Sequence, residues 1–221
     1  MNIYIESVDL DEIRNAAAAG LADGVAFSRS ASATDTGDES TRERLEEISR
    51  EFAIPICVPV AALSSADIYS EARELAKVSD HVIVQIPLVE DSLIPMARLT
   101  AEGVVVCATF VFSAAQAIIA AKTGAAAVRI TLDDLDSYGQ HATRTLADIK
   151  NALESGGEEC DVMADSPRTG VQFAECALAG ADIITVTPET LRQLVVHPLS
   201  DRGVDRFLNE LARRPKMRTP T

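Results

Sequence analysis

Basic charge is scarce in this chain. Twenty Lys plus Arg stand against 34 Asp plus Glu, and only four of the 221 residues are lysine. A net charge of −14 repels DNA, RNA and anionic lipid surfaces at long range, so roles at nucleic acids or membrane surfaces are not expected. Metal and disulfide spacings are missing as well: Cys57, Cys107, Cys160 and Cys176 form no CxxC pair, and three of them fall in or beside apolar runs. They read as reduced core thiols of a cytoplasmic protein. The opening MNIYIESVDLDEIRN has no basic stretch followed by an apolar one, so no signal peptide is expected. Charge-free runs are short, except for the 18 residues from Val104 to Ala121. That run begins with β-branched residues and then meets Ser113 as a helix cap, so it reads as strand, turn and helix rather than a membrane span.

Hydrophobic residues make up 47% of the chain, enough for one large domain with a full core. Three segments share one grammar, a helix ending in Gly and followed at once by an apolar run: EGVVVCA at Gly103, TGAAAVRI at Gly124 and AGADIITV at Gly180. Glycine supplies the left-handed residue that ends the helix. Extending the pattern predicts eight strands, near residues 2–6, 24–27, 54–60, 81–86, 104–109, 126–131, 160–165 and 182–186. Between them lie helix starts such as Asp9 with Glu12 three later, and Thr187 followed by Pro188.

Short strands buried on both faces and alternating with helices imply a parallel sheet, and eight repeats close into a single-domain (β/α)8 TIM barrel of the α/β class. The rival is an open doubly wound sheet, but no GxGxxG follows the first strand and GxxxxGK[ST] is absent. The barrel is expected over residues 1–214 and includes a C-terminal helix extension; 215–221 reads as a flexible tail.

A barrel carries its chemistry at the carboxyl ends of its strands. The polar residues predicted there are Glu6, Ser28, Gln85, Thr109, Arg129, Thr131, Asp133, Asp165 and Ser166. Gln85, in the middle of HVIVQIPLVED, raises the sharpest question, because an unsatisfied buried amide costs roughly 1–3 kcal/mol. It either satisfies backbone groups or lines a pocket. A carboxylate at the end of a first barrel strand makes Glu6 a candidate general acid or base. Arg129, inside AAAVRIT, must find an anion. Glu6, Asp133 and Asp165 are the candidates, and Asp133, nearer in the chain, is the expected competitor that leaves Glu6 apart. Alternatively, Arg129 binds an anionic ligand bidentately.

The run TLDDLDSYG reads as helix capping rather than a cation site. The three histidines lie too far apart for zinc, and no His stands ready to activate Ser113 or Ser166. No metal or cofactor is expected.

With the strand ends in place, the chain resembles the small transaldolases, the type that includes the fructose-6-phosphate aldolases. The segments that carry the likeness are MNIYIESVD, GVAFS at Gly24, SDHVIVQIP around Gln85, CATFVFSAAQA, MADSPRT, LAGADIITVTPETL and HPLSDRGVDRF. Such enzymes attack a ketose carbonyl with a lysine on the fourth strand, and the resemblance puts Gln85 at that position. An amide nitrogen is delocalised and cannot form an imine.

Other positions shift by the same comparison. Glu6 is one methylene longer than the family's Asp, and Thr109 is retained. Ser28 replaces an Asn, Pro59 an acid or amide, Thr131 a catalytic Tyr and Asp134 a phosphate-binding Arg, whereas Ser166 and Arg168 of a second phosphate element remain. The expectation is therefore an enzyme without a Schiff-base lysine that acts on a small polyol, ketose or keto acid, with or without phosphate, by acid–base lyase or isomerase chemistry. Glu6, Gln85 and Asp165 would be catalytic, and Ser28, Thr109, Arg129, Thr131, Ser166 and Arg168 would bind substrate. The alternative is a catalytically inactive relative with a binding, regulatory or structural role. The stripe Val204, Phe207, Leu208 and Leu211 is not needed by a barrel core, and the resemblance implies a homo-oligomer, a pentamer or decamer.

Overall fold

The structure, a computed structural model, describes residues 1–27 and 38–213. Eight parallel strands close into a barrel in simple sequence order: β1 Asn2–Ile5, β2 Gly24–Ala26, β3 Ile56–Pro59, β4 Val82–Pro87, β5 Val105–Thr109, β6 Ala127–Thr131, β7 Asp161–Asp165 and β8 Ile183–Val186. Closure is made where Asn2 to Ile5 of β1 pair with Ile183 to Val186 of β8.

The helices among the described residues are α1 Leu10–Ala18, α2 Asp38–Glu51, α3 Ser65–Ala76, α4 Glu90–Ala101, α5 Ala114–Lys122, α6 Leu132–Ser137, α7 Ala142–Gly156, α8 Gly170–Leu178, α9 Pro188–Leu194 and α10 Pro198–Arg213. A parallel neighbour can be reached only by a crossover, and a helix supplies it. Each predicted strand is present, with its ends shifted by no more than two residues; β4 runs one residue past its predicted end, to Pro87.

The local signals act as their chemistry requires. Asp9 accepts from the backbone N–H of Asp11 and Glu12 at the start of α1. Thr187 caps α9 with Pro188 in its first turn. Gly124 has φ +88°, and a Cβ there would lie 2.6 Å from Thr100 Oγ1, so the α5–β6 turn needs both its freedom and its small size. The charge-free run divides as its residues dictate, into β5 and α5 with Ser113 as the cap. No helix of the described residues is long and apolar enough to cross a membrane.

Two apolar layers result. The larger lies between strands and helices and includes Ile5, Ile13, Leu45, Ile56, Met96, Leu99, Ile130, Leu146 and Ile184. A smaller one fills the barrel itself: Tyr4, Ala26, Cys57, Cys107, Ala127, Met163 and Ile183, with Ile83 packed against them. Tyr4 lies so close to Gly24 that a Cβ at that glycine would overlap its ring at 2.6 Å. All four cysteines are free and buried. This inner layer closes the lower barrel, and the polar side chains above it mark the upper end.

Candidate functional site at the barrel mouth

Alternation along a strand turns every second residue inward. Above the apolar layer the next inward positions are polar. Arg129 of β6 is 2% exposed, and its neighbour across the register is Met163, while Thr131 is paired with Asp165. Asp165 therefore stands one inward step above Arg129 on the adjacent strand. Its Oδ1 accepts a close hydrogen bond from Arg129 Nη2, a second from Thr185 Oγ1 at 2.9 Å and a third contact from Ser166 Oγ at 3.3 Å.

Arg129 Nη1 donates to Gln85 Oε1 at 3.2 Å, which gives the buried Gln85 carbonyl its partner. Glu6 stands just beyond β1, where its backbone N–H donates to Val186 O. Its Oε1 lies 3.6 Å from Arg129 Nη2, and its Oε2 accepts a close hydrogen bond from Ser166 Oγ.

The arrangement is thus two carboxylates around one guanidinium, with Gln85, Ser166 and Thr185 completing the shell. Burial works against the Arg129 charge, but the Asp165 carboxylate outweighs it and holds the guanidinium above its ordinary value. Two buried donors are left over, Gln85 Nε2 and Arg129 Nε, neither of which meets a hydrogen-bond acceptor among the described residues. Beneath them, burial pushes the Cys57 thiol up to about 12, a rise that Arg129 and Gln85 only partly oppose.

Ser166 holds φ 51°, a left-handed conformation that a non-glycine residue seldom adopts. Its N–H is fixed by Thr185 Oγ1 at 3.0 Å, so β8 pins the turn that aims the Ser166 hydroxyl at Glu6. Strained residues of this kind concentrate at functional sites.

Of the sequence-derived candidates, Glu6, Gln85, Arg129, Asp165 and Ser166 come together in one cluster. Thr109 ends β5 and is 5% exposed. Thr131 ends β6 at the cap position of α6, where its side chain makes no capping bond. Arg168 points away from the cluster, its Nε donating to Asp133 Oδ2 at 2.8 Å. Ser28 lies outside the described residues.

The expected competition of Asp133 for Arg129, which was to leave Glu6 apart, is corrected on both counts, since Glu6 itself reaches Arg129 at 3.6 Å. Asp133 belongs to α6, past the strand end, and from that outer position it meets Arg168 instead, while the β6–β7 register hands Asp165 to Arg129. Thr185 was missed from sequence because a threonine inside ADIITV looks like an ordinary strand residue. Its only signal was its inward position in β8, two residues past Ile183.

Three lysines are described: Lys77 caps the end of α3, Lys122 lies in α5 and Lys150 in α7, paired with Glu74, Glu158 and Asp182 respectively. None is on a strand. Among the described residues no group of three or more His, Cys, Asp or Glu side chains is arranged to hold a metal ion.

Fold and cluster define a (β/α)8 barrel with its polar site at the carboxyl ends of the strands, the end where such barrels work. The family is fixed by comparison with known proteins. The chain belongs to the transaldolase/fructose-6-phosphate aldolase family, whose model matches residues 6–217. It is 33% identical over 210 residues to a probable transaldolase of Clostridium tetani, a match covering 95% of this chain and 97% of that one. Similar relatives are probable transaldolases of Caulobacter sp. strain K31, 35% identical over 215 residues with 96% and 97% of the two chains covered, and of Bartonella tribocorum, 36% over 210 residues with 95% and 96% covered.

Proposed function

We propose that this chain is a divergent transaldolase-like enzyme that has given up imine chemistry and uses Glu6 as a general acid or base on a small polyol, ketose or keto acid. Three observations support the loss of the imine route. The resemblance puts Gln85 at the Schiff-base position, an amide is no amine nucleophile, and no described lysine lies on a strand. The observation that carries the positive reading is the state of Glu6: its side chain keeps 13% exposure at the mouth, steadied by Ser166 and set 3.6 Å from a cation already held by Asp165.

In this proposal Glu6 takes a proton from the carbon next to a carbonyl and returns it to the neighbouring carbon or oxygen. Gln85 and Thr109 orient hydroxyls, and Ser166 holds the carboxylate in place. Both arginines described at this end of the barrel, Arg129 and Arg168, already hold carboxylates, which favours a ligand of hydroxyl and carbonyl groups over a phosphate.

The test is hydrogen exchange. A panel of small ketoses and keto acids in D2O, followed by proton NMR, should reveal one whose α-proton exchanges under catalysis. Glu6→Gln should slow that exchange about 10²- to 10⁴-fold. Borohydride trapping with dihydroxyacetone should leave no adduct on any lysine; an adduct seen by mass spectrometry overturns the loss of imine chemistry.

A second reading, a non-catalytic relative, is favoured by one feature: Gln85 and Arg129 are 1% and 2% exposed, so a closed ion pair fills the upper barrel. Absence of exchange across the panel, in a protein that folds and assembles, would select it.

Assembly is proposed on separate grounds. Every residue from Val195 to Ala212 is exposed, including Val204 at 56%, Phe207 at 59% and Leu208 at 56%. An apolar stripe of this kind needs a cover. With the family resemblance, it supports a ring of five copies or a pair of rings, which light scattering would test. Four free thiols and a charge of −14 fit a cytoplasmic location with a small-molecule ligand.

A further inference from the structure

Strand β8 lies between the two strands that end in the carboxylates, with β7 on one side and β1 on the other. What it offers at their height sets how Asp165 and Glu6 stand relative to each other. Its Val186 carbonyl accepts the Glu6 backbone N–H at 2.8 Å, and Thr185, one residue earlier, is paired in register with Asp165. Thr185 is 0% exposed, so it acts on the mouth only through its neighbours.

A hydroxyl has one hydrogen and two lone pairs. The Ser166 backbone N–H points at Thr185 Oγ1 at 3.0 Å and takes a lone pair, which leaves the single hydrogen for Asp165 Oδ1 at 2.9 Å. One side chain therefore grips both neighbours. The grip on Ser166 matters most, since that residue holds φ 51° and stands directly before Pro167, where the backbone has little freedom to adopt such a conformation. Strain of this kind persists only where the surroundings over-determine it. Ser166 in turn gives its hydroxyl hydrogen to Glu6 Oε2, while on the other branch Asp165 holds Arg129, whose Nη2 lies 3.6 Å from Glu6 Oε1. Both branches start at Thr185 and end at Glu6. A threonine suits the post, because its β-branched side chain is stiff at χ1 and holds the hydroxyl in one direction.

We infer that Thr185 is a positioning residue for proton transfer at Glu6: its hydroxyl fixes the Ser166 turn and the Asp165–Arg129 pair together, and so sets where the Glu6 carboxylate stands. The catalytic half of this inference rests on the acid–base reading, and the geometric half does not.

Thr185→Val keeps the shape and removes the hydroxyl. The Ser166 N–H still has the Thr185 carbonyl at 3.2 Å, so the variant is expected to fold, which urea denaturation checks; Thr185→Ala, which sets no methyl group against the two polar neighbours, repeats each measurement. Crystal structures should show Ser166 Oγ parted from Glu6 Oε2 beyond hydrogen-bond distance in Thr185→Val and still in contact in Thr185→Ser. With a ketose or keto acid whose α-proton the parent protein exchanges in D2O, Thr185→Val should lower kcat by roughly 10- to 10²-fold at unchanged KM, as a misplaced base would. Thr185→Ser should restore most of that rate. A threonine that only supports the fold would lower stability without this split and without this rescue. The inference is overturned if the contact between Ser166 and Glu6 survives in Thr185→Val, if kcat is unchanged, or if the loss falls on KM instead. If the parent protein exchanges no compound of the panel, the acid–base reading fails, and the crystal structures still decide whether Thr185 places Glu6.

Discussion

Two Arg–Asp pairs tie the β6 region to the β7 region, and they differ in almost everything except chemistry. Arg129 and Asp165 have side chains 3% and 6% exposed, while Arg168 and Asp133 are at 74% and 41%. The inner pair required two charges to leave water, a penalty of several kcal/mol per ion that attraction alone seldom repays. Additional bonds from Gln85, Thr185 and Ser166 offset it. The outer pair remains solvated, forfeits little and gains little. Contact distance therefore says less about an ion pair than the medium in which it sits. A buried pair of this kind is also not obviously there for stability, since apolar residues of similar volume commonly serve as well. That its members surround a partly accessible Glu6 is the better reason for it.

The largest expected effect comes from breaking the inner pair on one side only. Asp165→Asn leaves a buried guanidinium without its principal anion and should cost about 3–5 kcal/mol in urea denaturation. Glu6, at 3.6 Å, is the one other carboxylate among the described residues placed to move in, so Glu6→Gln combined with Asp165→Asn should cost more than the two changes summed. Replacing both members, Arg129→Met with Asp165→Leu, should recover most of the loss. If Asp165→Asn falls within 1 kcal/mol of the parent protein, the inner pair is not electrostatically isolated and the contrast with the outer one collapses.

A middle effect comes from the thiol layer beneath the inner pair. Burial lifts Cys57 from 9.0 to about 12, against the pull of Arg129 and Gln85. Because the folded value lies above the unfolded one, the stabilising contribution is complete below pH 9 and is lost as pH rises from 9 toward 12. At pH 10.5 the unfolded thiol is ionised while the folded one is not, a difference of roughly 1–2 kcal/mol for this residue. Cys57→Ala should flatten the alkaline fall in stability measured between pH 8 and 10.5. An unchanged slope would mean that Cys57 ionises in the folded protein.

The fold was legible almost completely, and the site only in part. Strand positions could be read because Gly103, Gly124 and Gly180 end helices with φ of 86°, 88° and 92° just before apolar runs, a signal that is local in the chain. The polar strand ends could be read for the same reason. Their partners could not, because partnership depends on register. Chain distance favoured Asp133 for Arg129, whereas the pairing Thr131 with Asp165 decided otherwise. Thr185 stayed hidden because a β-branched residue in a strand is ordinary, and only barrel closure turns it toward Asp165. The left-handed conformations of Phe110 and Ser166 carry no glycine to announce them. The apolar stripe on α10 was legible from its spacing alone, because an amphipathic helix announces its face whether or not anything covers it.

The smallest effect sharpens the comparison from the other side. The outer pair has a good geometry, with Arg168 Nε donating to Asp133 Oδ2 at 2.8 Å, and by contact distance alone its loss would be expected to hurt. Both side chains reach water, however, and water solvates either charge once its partner is gone. Arg168→Ala and Asp133→Asn should each cost no more than about 1 kcal/mol, and a double-mutant cycle between them should give a coupling of about 0.2–1 kcal/mol. That coupling should shrink further between 0.05 M and 0.5 M salt, because exposed charges are screened. The same rise in salt should leave the cost of Asp165→Asn nearly unchanged, since ions do not reach the barrel interior. A large, salt-insensitive coupling for Arg168 and Asp133 would show that the outer pair is shielded in solution, and the neighbouring copy in an assembled ring would be the first place to look for the cover.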